Sequence, residues 1–210
     1  MTTTVVHLLR HGEVENPKKI LYGRLPGYHL SAAGREMAEK AAVALSERDL
    51  TYLVSSPLDR ALDTAAPLAA RTGLEVALDE RFIEPTNFFE GKEFGVGDGA
   101  LRHPGNWKAL WNPFRPSWGE PYKAVALRMI AGMAAARELA RGHEAVVVSH
   151  QLPIWVTRLQ LSGKRLWHDP RKRECSLASV TSFTYDGEEL VDIGYTEPAG
   201  KTDPNAARGA

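Results

Sequence analysis

Short apolar segments that end in polar residues are the feature that most constrains the fold of this chain. Val5–Leu9 and Ala145–Val148 have the length and composition of buried strands, and Tyr52–Ser55 and Val76–Leu78 are predicted as two further short strands. Longer segments with helical periodicity separate them. Strands that alternate with helices predict a largely parallel sheet with helices on both faces.

The segments between these strands carry helix signals. Ser31 is the predicted N-cap of a helix that extends through Leu45, and Pro57 is predicted in the first turn of the helix that carries Arg60. Two further helices are predicted over residues 122–141 and 152–161.

The C-terminal part of the pattern predicts a hairpin. Segments 176–185 and 190–195 flank Asp186-Gly187, a turn signal. We therefore expect an α/β fold, a three-layer α/β/α sandwich with a mostly parallel sheet, in which this hairpin adds an antiparallel edge strand.

The 210 residues are enough for one α/β domain, which we place at 1–197. Segment 85–120 is rich in Gly, Pro, Asn and aromatic residues, and we expect an irregular, ordered lid there. Its aromatic side chains are expected to pack rather than to stack on substrate. These are Phe88, Phe89, Trp107, Trp111, Phe114 and Trp118. The small, polar tail 198–210 is expected to be disordered.

Charge and cysteine content narrow the class of protein. The formal net charge is zero, which argues against a nucleic-acid partner because such binding needs a basic surface. Residues 164–173 include five basic residues, which we expect on a solvated face. The sequence has neither a secretory leader nor an apolar segment long enough for a membrane. The single cysteine, Cys175, fits a reducing compartment, so we expect a cytoplasmic protein without a membrane partner.

Polar residues follow three of the predicted strands. Arg10 and His11 end the first strand, Arg60 lies on the helix after the second, and His150 follows the valine-rich strand. Ligands of open parallel sheets bind at the carboxyl ends of the strands. Guanidinium groups grip phosphate oxygens in pairs, and a histidine among them can be a phosphate ligand or a nucleophile. The pattern predicts a phosphate site whose partner is a small phosphorylated metabolite.

Hydrolysis of a phosphomonoester also needs a proton donor for the leaving group. Glu84 follows the third strand and is the best-placed carboxylate, although Glu80, Glu90 and Glu93 are neighbours. Glu13 is a candidate for a supporting carboxylate. Tyr22, Gly23 and Arg24 lie in the loop after His11 and are either leaving-group contacts or ordinary loop residues.

A metal mechanism is not expected. His7 and His11 are four residues apart, which on a strand separates them by roughly 13 Å, too far to share an ion. The chain also has no aspartate cluster suited to magnesium. We expect neither a metal nor another cofactor.

Taken together, these segments resemble the histidine phosphatase superfamily, whose fold is phosphoglycerate mutase-like. The resemblance covers about residues 5–195 and is carried by motifs at the predicted strand ends. They are Leu9-Arg10-His11-Gly12-Glu13 with Asn16, Leu30-Ser31 with Gly34, Ser55-Ser56-Pro57-Leu58-Asp59-Arg60-Ala61 with Thr64-Ala65, Glu84, and Val148-Ser149-His150.

The resemblance implies a role for each residue. His11 would attack phosphorus and become phosphorylated, while Arg10, Arg60 and His150 would hold the phosphoryl oxygens. Glu84 would protonate the leaving group and then activate water, without a metal. Asn16 would be a secondary phosphate contact, with stabilisation of its own turn as the alternative.

The sequence departs from the family pattern at two places near the site. Gln151 follows His150 where many members have glycine, so it is expected to line the substrate side. Glu90-Gly91 resembles a family dipeptide but lies one residue closer to the acid. Cofactor-dependent mutases have a basic segment after the acid, whereas this chain reads Pro85-Thr86-Asn87-Phe88-Phe89. We therefore expect hydrolysis, with mutase-type phosphoryl transfer and a non-catalytic phosphate-recognising module as the alternatives.

Overall fold

The computed structural model describes residues 2–92 and 119–200. Within them, one six-stranded sheet has the order β3-β2-β4-β1-β5-β6. The strands are β1 (Thr3–Arg10), β2 (Leu50–Ser55), β3 (Val76–Leu78), β4 (Glu144–Ser149), β5 (Val180–Asp186) and β6 (Glu189–Thr196). The first four are parallel, and β5 and β6 are antiparallel. The mostly parallel α/β sheet predicted from the sequence is confirmed.

Helices cover both faces of the sheet. One core joins Val6, Leu8 and Val147 to helices α3 (Tyr122–Leu139) and α4 (Gln151–Leu161). On the other face, Leu9, Val146 and Val148 pack against α1 (Ala32–Ser46) and α2 (Asp59–Thr72). Neighbouring strand residues thus bury opposite faces, which is why these strands are apolar throughout. Short 3₁₀ turns cover Glu80–Phe82 and Pro170–Lys172.

Most element predictions are confirmed, with differences at the ends. Ser31 caps α1 by accepting a hydrogen bond from the Gly34 N–H. Pro57 was predicted in the first helical turn, but α2 begins at Asp59 and has Leu58 as its N-cap. The last hairpin contributes two antiparallel strands, and β5 begins at Val180 instead of Ser176, since the chain turns at Ala178 with a φ of 52°.

None of the helices in the described residues is long and apolar enough to cross a membrane. Of the aromatic segment, Phe89 is buried and Phe88 is exposed. An isolated bridge joins Asn87 to Gly119. Most of the lid predicted at 85–120 lies outside the described residues, and so do residues 201–210 of the predicted tail. The lid residues outside them include Trp107, Trp111, Phe114 and Trp118.

Candidate active site

Three neighbouring strands bring the candidate residues to one edge of the sheet. Because β4 lies between β1 and β2, the residues that follow all three strands lie side by side. The His11 N–H donates to the Ser149 carbonyl (3.1 Å) and the Ser56 N–H donates to the Val148 carbonyl (2.9 Å). These bonds extend the parallel pairing by one residue. The backbone pairing therefore fixes the positions from which the His11 and His150 side chains extend.

The His11 imidazole is fully buried and held in one tautomer. Its Nδ1 lies 2.8 Å from the Gly12 carbonyl oxygen. Because a carbonyl only accepts hydrogen bonds, Nδ1 carries the proton and Nε2 carries the lone pair. Within the described residues, Nε2 has no hydrogen-bond partner. Burial, followed by the charges of Arg60 and Arg10, lowers the pKa of His11 well below its usual value of 6.5. His11 is thus a neutral imidazole with an available nucleophilic nitrogen.

Close backbone packing fixes the loop that carries this carbonyl. The Gly12 N–H donates to Thr64 Oγ1 on α2 (3.1 Å), and a Cβ at Gly12 would lie 2.5 Å from the Gly34 carbonyl oxygen. Only glycine fits between the His11 loop and the first turn of α1. Ser31 Oγ also donates to Glu13 (2.7 Å), which assigns the Glu13 carboxylate to the helix cap.

The two arginines are each anchored through one terminal nitrogen. Arg10 Nη1 donates to the Cys175 carbonyl (2.7 Å) and Arg60 Nη2 donates to the Gly23 carbonyl (2.7 Å). The Arg60 guanidinium carbon also lies 4.7 Å from the centre of the Tyr22 ring. Both Nε atoms are buried without a partner in the described part of the chain. Since arginine stays charged in proteins, each side chain offers a fixed N–H donor to an anion.

His150 and Glu84 complete the cluster. The ring centres of His11 and His150 are 5.2 Å apart. His150 Nε2 is hydrogen-bonded to Ser56 Oγ (2.8 Å), and its Nδ1 lies 3.7 Å from Glu84 Oε2. Burial lowers the pKa of His150 well below 6.5, with the charge of Arg60 as the next cause.

The Glu84 carboxyl group is also buried, with 8% of the residue exposed. Burial raises the pKa of Glu84 from its usual 4.5, although the charges of Arg60, Arg173, Arg10 and Arg128 oppose the rise. A carboxyl group with a raised pKa keeps its proton to higher pH, which is the property that a general acid needs.

The buried polar atoms without partners concentrate at this edge. Nine such side-chain atoms occur in the described residues, and five of them belong to the cluster. These five are Arg10 Nε, His11 Nε2, Arg60 Nε, Glu84 Oε2 and His150 Nδ1. An unpaired buried polar atom costs about 1–3 kcal/mol, so a group of five indicates a site built for a polar ligand.

Of the other residues predicted to contact substrate, some lie at the site and others hold neighbouring groups in place. Tyr22 is buried with its ring centre 6.5 Å from that of His11. Gly23 offers its carbonyl to Arg60. Asn16 uses both amide atoms on the backbone of Ile20, donating to its carbonyl (2.8 Å) and accepting from its N–H (3.0 Å). The structure thus places Asn16 as a brace for its own loop.

Arg24 and Gln151 lie further out. Arg24 Nε donates to the Glu84 carbonyl oxygen (2.5 Å), and its guanidinium faces Glu120 at 3.6 Å. Arg24 therefore holds the backbone of the candidate acid. Gln151 Nε2 donates to the Cys175 carbonyl (3.3 Å), the same oxygen that anchors Arg10.

Other carboxylates near Glu84 in the sequence are directed elsewhere. Glu80 is exposed, Glu90 accepts a hydrogen bond from the Asn87 N–H (3.1 Å), and Glu93 lies outside the described residues. Among the candidate acids that the structure describes, only Glu84 lies beside a histidine of the site.

A family model of the histidine phosphatase superfamily (branch 1) matches residues 6–194. The chain belongs to this superfamily. The protein Rv0525 of Mycobacterium tuberculosis is 59% identical over 196 residues, which cover 93% of this chain and 97% of that protein. A probable phosphoglycerate mutase, GpmB, of Escherichia fergusonii is 28% identical over 183 residues and 83% of each chain. The solved structure of mycobacterial glucosyl-3-phosphoglycerate phosphatase Rv2419c superposes with a TM-score of 0.70 at 28% identity, and the match covers 87% of this chain and 90% of that one.

Arg173 of this superfamily member was missed by the sequence analysis. The basic residues of 164–173 were predicted to form a solvated face, and Lys164, Arg165, Arg171 and Lys172 are exposed. The prediction is wrong for Arg173, which is half-buried and hydrogen-bonded to His168 and Gln151. A run of basic residues gives no sign of which member turns inward, since the chain direction there depends on the turn at Pro170–Lys172.

Ser56 was quoted only as part of the family motif, yet it is the side chain that orients His150. The described residues also contain no group of three or more His, Cys, Asp or Glu side chains arranged as metal ligands. His7, the partner in the rejected metal pair, is bonded instead to Ser182 and Glu144.

Proposed function

We propose that this histidine phosphatase superfamily member hydrolyses a small phosphorylated metabolite through a phosphohistidine intermediate on His11. The observation that carries the proposal is the His11 imidazole itself. Its proton is fixed on Nδ1 by the Gly12 carbonyl, and its Nε2 is buried and unpaired among the described residues. A buried lone pair on which the charges of Arg60 and Arg10 act suits attack on a phosphorus atom whose oxygens those groups would neutralise.

In the first step, Nε2 of His11 attacks phosphorus, so the P–N bond forms while the P–O bond to the leaving group breaks. Arg10 Nε, Arg60 Nε and His150 Nδ1 are the buried polar atoms available to the phosphoryl oxygens. Glu84 gives its proton to the leaving oxygen. Its raised pKa favours the protonated form that this step needs.

In the second step, the Glu84 carboxylate takes a proton from water and the resulting hydroxide attacks phosphorus. The P–N bond breaks, which returns His11 to its neutral form and releases inorganic phosphate. The lowered pKa of His11, caused first by burial, favours its departure as a neutral imidazole. No step requires a metal ion.

Phosphoryl transfer between two positions of one metabolite is the second candidate, and the similarity to GpmB favours it. Segment 85–89 carries no arginine or lysine to hold a second phosphate, which supports hydrolysis. The similarity to a glucosyl-3-phosphoglycerate phosphatase also supports hydrolysis. The single, buried Cys175 is consistent with activity in a reducing compartment such as the cytoplasm.

Turnover assays separate the two candidates. Purified protein should release inorganic phosphate from p-nitrophenyl phosphate and from a panel of phosphorylated metabolites, with the same rate in the presence of a chelator. Incubation with 3-phosphoglycerate and 2,3-bisphosphoglycerate should give phosphate release and no isomer exchange. Isomer exchange without phosphate release would establish the mutase, and an absence of any turnover would support a phosphate-recognising module.

A further inference from the structure

Arg173 is a guanidinium group next to the candidate site that the proposed reaction does not use. It is half-buried, and two neutral side chains hold it. Its Nε donates to His168 Nε2 (2.9 Å) and its Nη1 donates to Gln151 Oε1 (3.2 Å). Within residues 2–92 and 119–200, its Nη2 donates to no protein acceptor.

His168 is fixed in the tautomer that orients this arginine. Its Nδ1 lies 2.7 Å from the Leu166 carbonyl, so Nδ1 must carry the proton. Nε2 is then an acceptor, as the contact with Arg173 requires. The His168 ring also packs on Tyr122 and Trp155, with ring centres 5.5 and 6.0 Å away. The guanidinium of Arg173 is therefore held in place before any ligand arrives.

A chain of hydrogen bonds connects Arg173 to the phosphate cluster. Gln151, which accepts from Arg173, donates to the Cys175 carbonyl, and that carbonyl also accepts from Arg10. The charge of Arg173 opposes the raised pKa of Glu84 more strongly than the charge of Arg10 does. The hydrogen bonds through Gln151 and the Cys175 carbonyl thus join Arg173 to Arg10, and the charge of Arg173 acts on Glu84, the candidate acid.

In the described part of the chain, no carboxylate forms an ion pair with Arg173. The two acids nearest to it in sequence are engaged by other arginines, since Asp169 pairs with Arg171 (2.8 Å) and Glu174 pairs with Arg158 (2.6 Å). A half-buried cation that is oriented by neutral side chains resembles a receptor for an anion more than a structural ion pair.

We propose that Arg173 binds a second anionic group on the leaving group and so makes the enzyme selective for phosphomonoesters that carry a carboxylate or a second phosphate. His168 and Gln151 act as positioning residues for it. This inference rests on the proposed function, because the leaving group is defined by the phosphoryl group that His11 attacks.

Matched substrate pairs test this selectivity. The pair 3-phosphoglycerate and glycerol 3-phosphate differs in one carboxylate, and the pair fructose 1,6-bisphosphate and fructose 1-phosphate differs in one phosphate. Arg173→Gln should lower the ratio of kcat/KM within at least one pair by about ten- to a hundredfold, since a charged hydrogen bond is lost. The pair affected identifies which anion is recognised. Because each ratio is taken within one variant, general damage to the site cancels.

Lys172→Gln is the matched control, because it removes an exposed neighbouring charge and should leave both ratios unchanged. Arg173→Lys should recover only part of the ratio, since an ammonium group cannot reproduce the oriented fork. His168→Phe should lower the same ratio less than Arg173→Gln does, mainly through KM. Equal ratios in Arg173→Gln and the parent protein, for both pairs, would overturn the inference.

Binding to the His11→Ala variant separates this inference from the proposed function. Calorimetry with 3-phosphoglycerate, glycerol 3-phosphate and the two fructose phosphates requires no turnover. Adding Arg173→Gln should weaken the doubly anionic member of at least one pair about tenfold more than its partner. That result would support the anion contact even if no phosphate is released. Equal weakening within both pairs would refute it even if hydrolysis through His11 is established.

Discussion

His7 lies in β1 and His11 follows the end of this strand; both side chains are buried, and their hydrogen bonds differ. His7 Nδ1 lies 2.7 Å from Ser182 Oγ and its Nε2 lies 2.7 Å from Glu144. His11 has one nitrogen bonded to the Gly12 carbonyl, and the other has no partner among the described residues. Burial is the main cause of a lowered pKa in both. Burial and a shifted pKa therefore do not distinguish a candidate nucleophile from a structural histidine, whereas an unpaired nitrogen does.

The two residues also differ in which charges surround them. Arg60 and Arg10 act on His11, while His7 is bonded to Glu144, which accepts a further pair of hydrogen bonds from Arg48 (2.8 and 2.9 Å). Both ring nitrogens of His7 thus have protein partners, and the Glu144 carboxylate beside it is paired with Arg48. The surroundings of His11 leave a surplus of positive charge, which an anionic ligand would balance.

The largest expected effect separates these two histidines directly. His11→Ala should lower kcat/KM for p-nitrophenyl phosphate by at least about 10⁴-fold, as expected for loss of a nucleophile, while the free energy of unfolding changes little. His7→Leu should retain most of the activity. Steady-state kinetics and urea unfolding of both variants provide the comparison. If His7→Leu were the more damaging variant for turnover, the assignment of roles would be reversed.

Glu84→Gln tests the second member of the cluster. It should lower kcat/KM by about 10²- to 10⁴-fold for an alkyl phosphate, whose leaving group needs a proton. The loss should be smaller for p-nitrophenyl phosphate, which leaves as a stable phenolate. Burial raises the pKa of Glu84. As the pH rises through that pKa, kcat/KM of the parent protein should therefore fall more for the alkyl phosphate than for p-nitrophenyl phosphate. Glu80→Gln, at an exposed position, is the control, and an equal loss for both leaving groups would remove the acid role from Glu84.

A smaller effect is expected from Arg60→Lys, about 10²-fold in kcat/KM, because the charge remains and the directed N–H donors do not. Arg71 lies on the same helix and pairs with Glu39 at the surface, so Arg71→Lys serves as its match and should change turnover less than about twofold. Similar kinetics for the two variants would contradict a phosphate contact at Arg60.

The smallest effect concerns stability and again involves His7. His7→Leu removes one partner of Ser182 and one of Glu144, which should lower the free energy of unfolding by about 1–3 kcal/mol. Urea denaturation at pH 7 measures this. The change should be clearly larger than that of His11→Ala, which removes a ring with an unpaired nitrogen.

The pH dependence of the free energy of unfolding provides a second test of the role of His7. Folding lowers the pKa of His7 from 6.5. The stabilisation of the folded protein that comes from this shift is therefore complete above pH 6.5, and it is lost as the pH falls from 6.5 through the folded-state pKa of His7. His7→Leu should therefore lessen the decline of stability on acidification below 6.5. An unchanged decline would mean that His7 does not titrate differently in the folded and unfolded chains.

Much of this architecture could be predicted from sequence, because it depends on local patterns. The apolar runs specify buried strands, and the rule that ligands lie at the carboxyl ends of parallel strands places Arg10, His11 and His150 at one edge. Ser31 is recognisable as a cap from its residue type and position. Each of these inferences needs only neighbouring residues and the layer architecture.

Features that depend on which tertiary partner a side chain meets were not predictable in the same way. Nothing local distinguishes Arg173 from the exposed Lys172, or shows that both Asn16 amide atoms are bonded to Ile20. The start of α2 at Asp59 also shows that a proline signal locates a helix end only to within a few residues.

The most direct test of the account is to trap the covalent intermediate and map its position. Brief incubation with a phosphomonoester carrying labelled phosphate, followed by a basic quench, should leave a label on the protein that is stable in base and lost in acid. Peptide mapping should place it on His11, and His11→Ala should carry none. A label that maps to another residue, or turnover by the parent protein together with full activity in His11→Ala, would contradict the central claim.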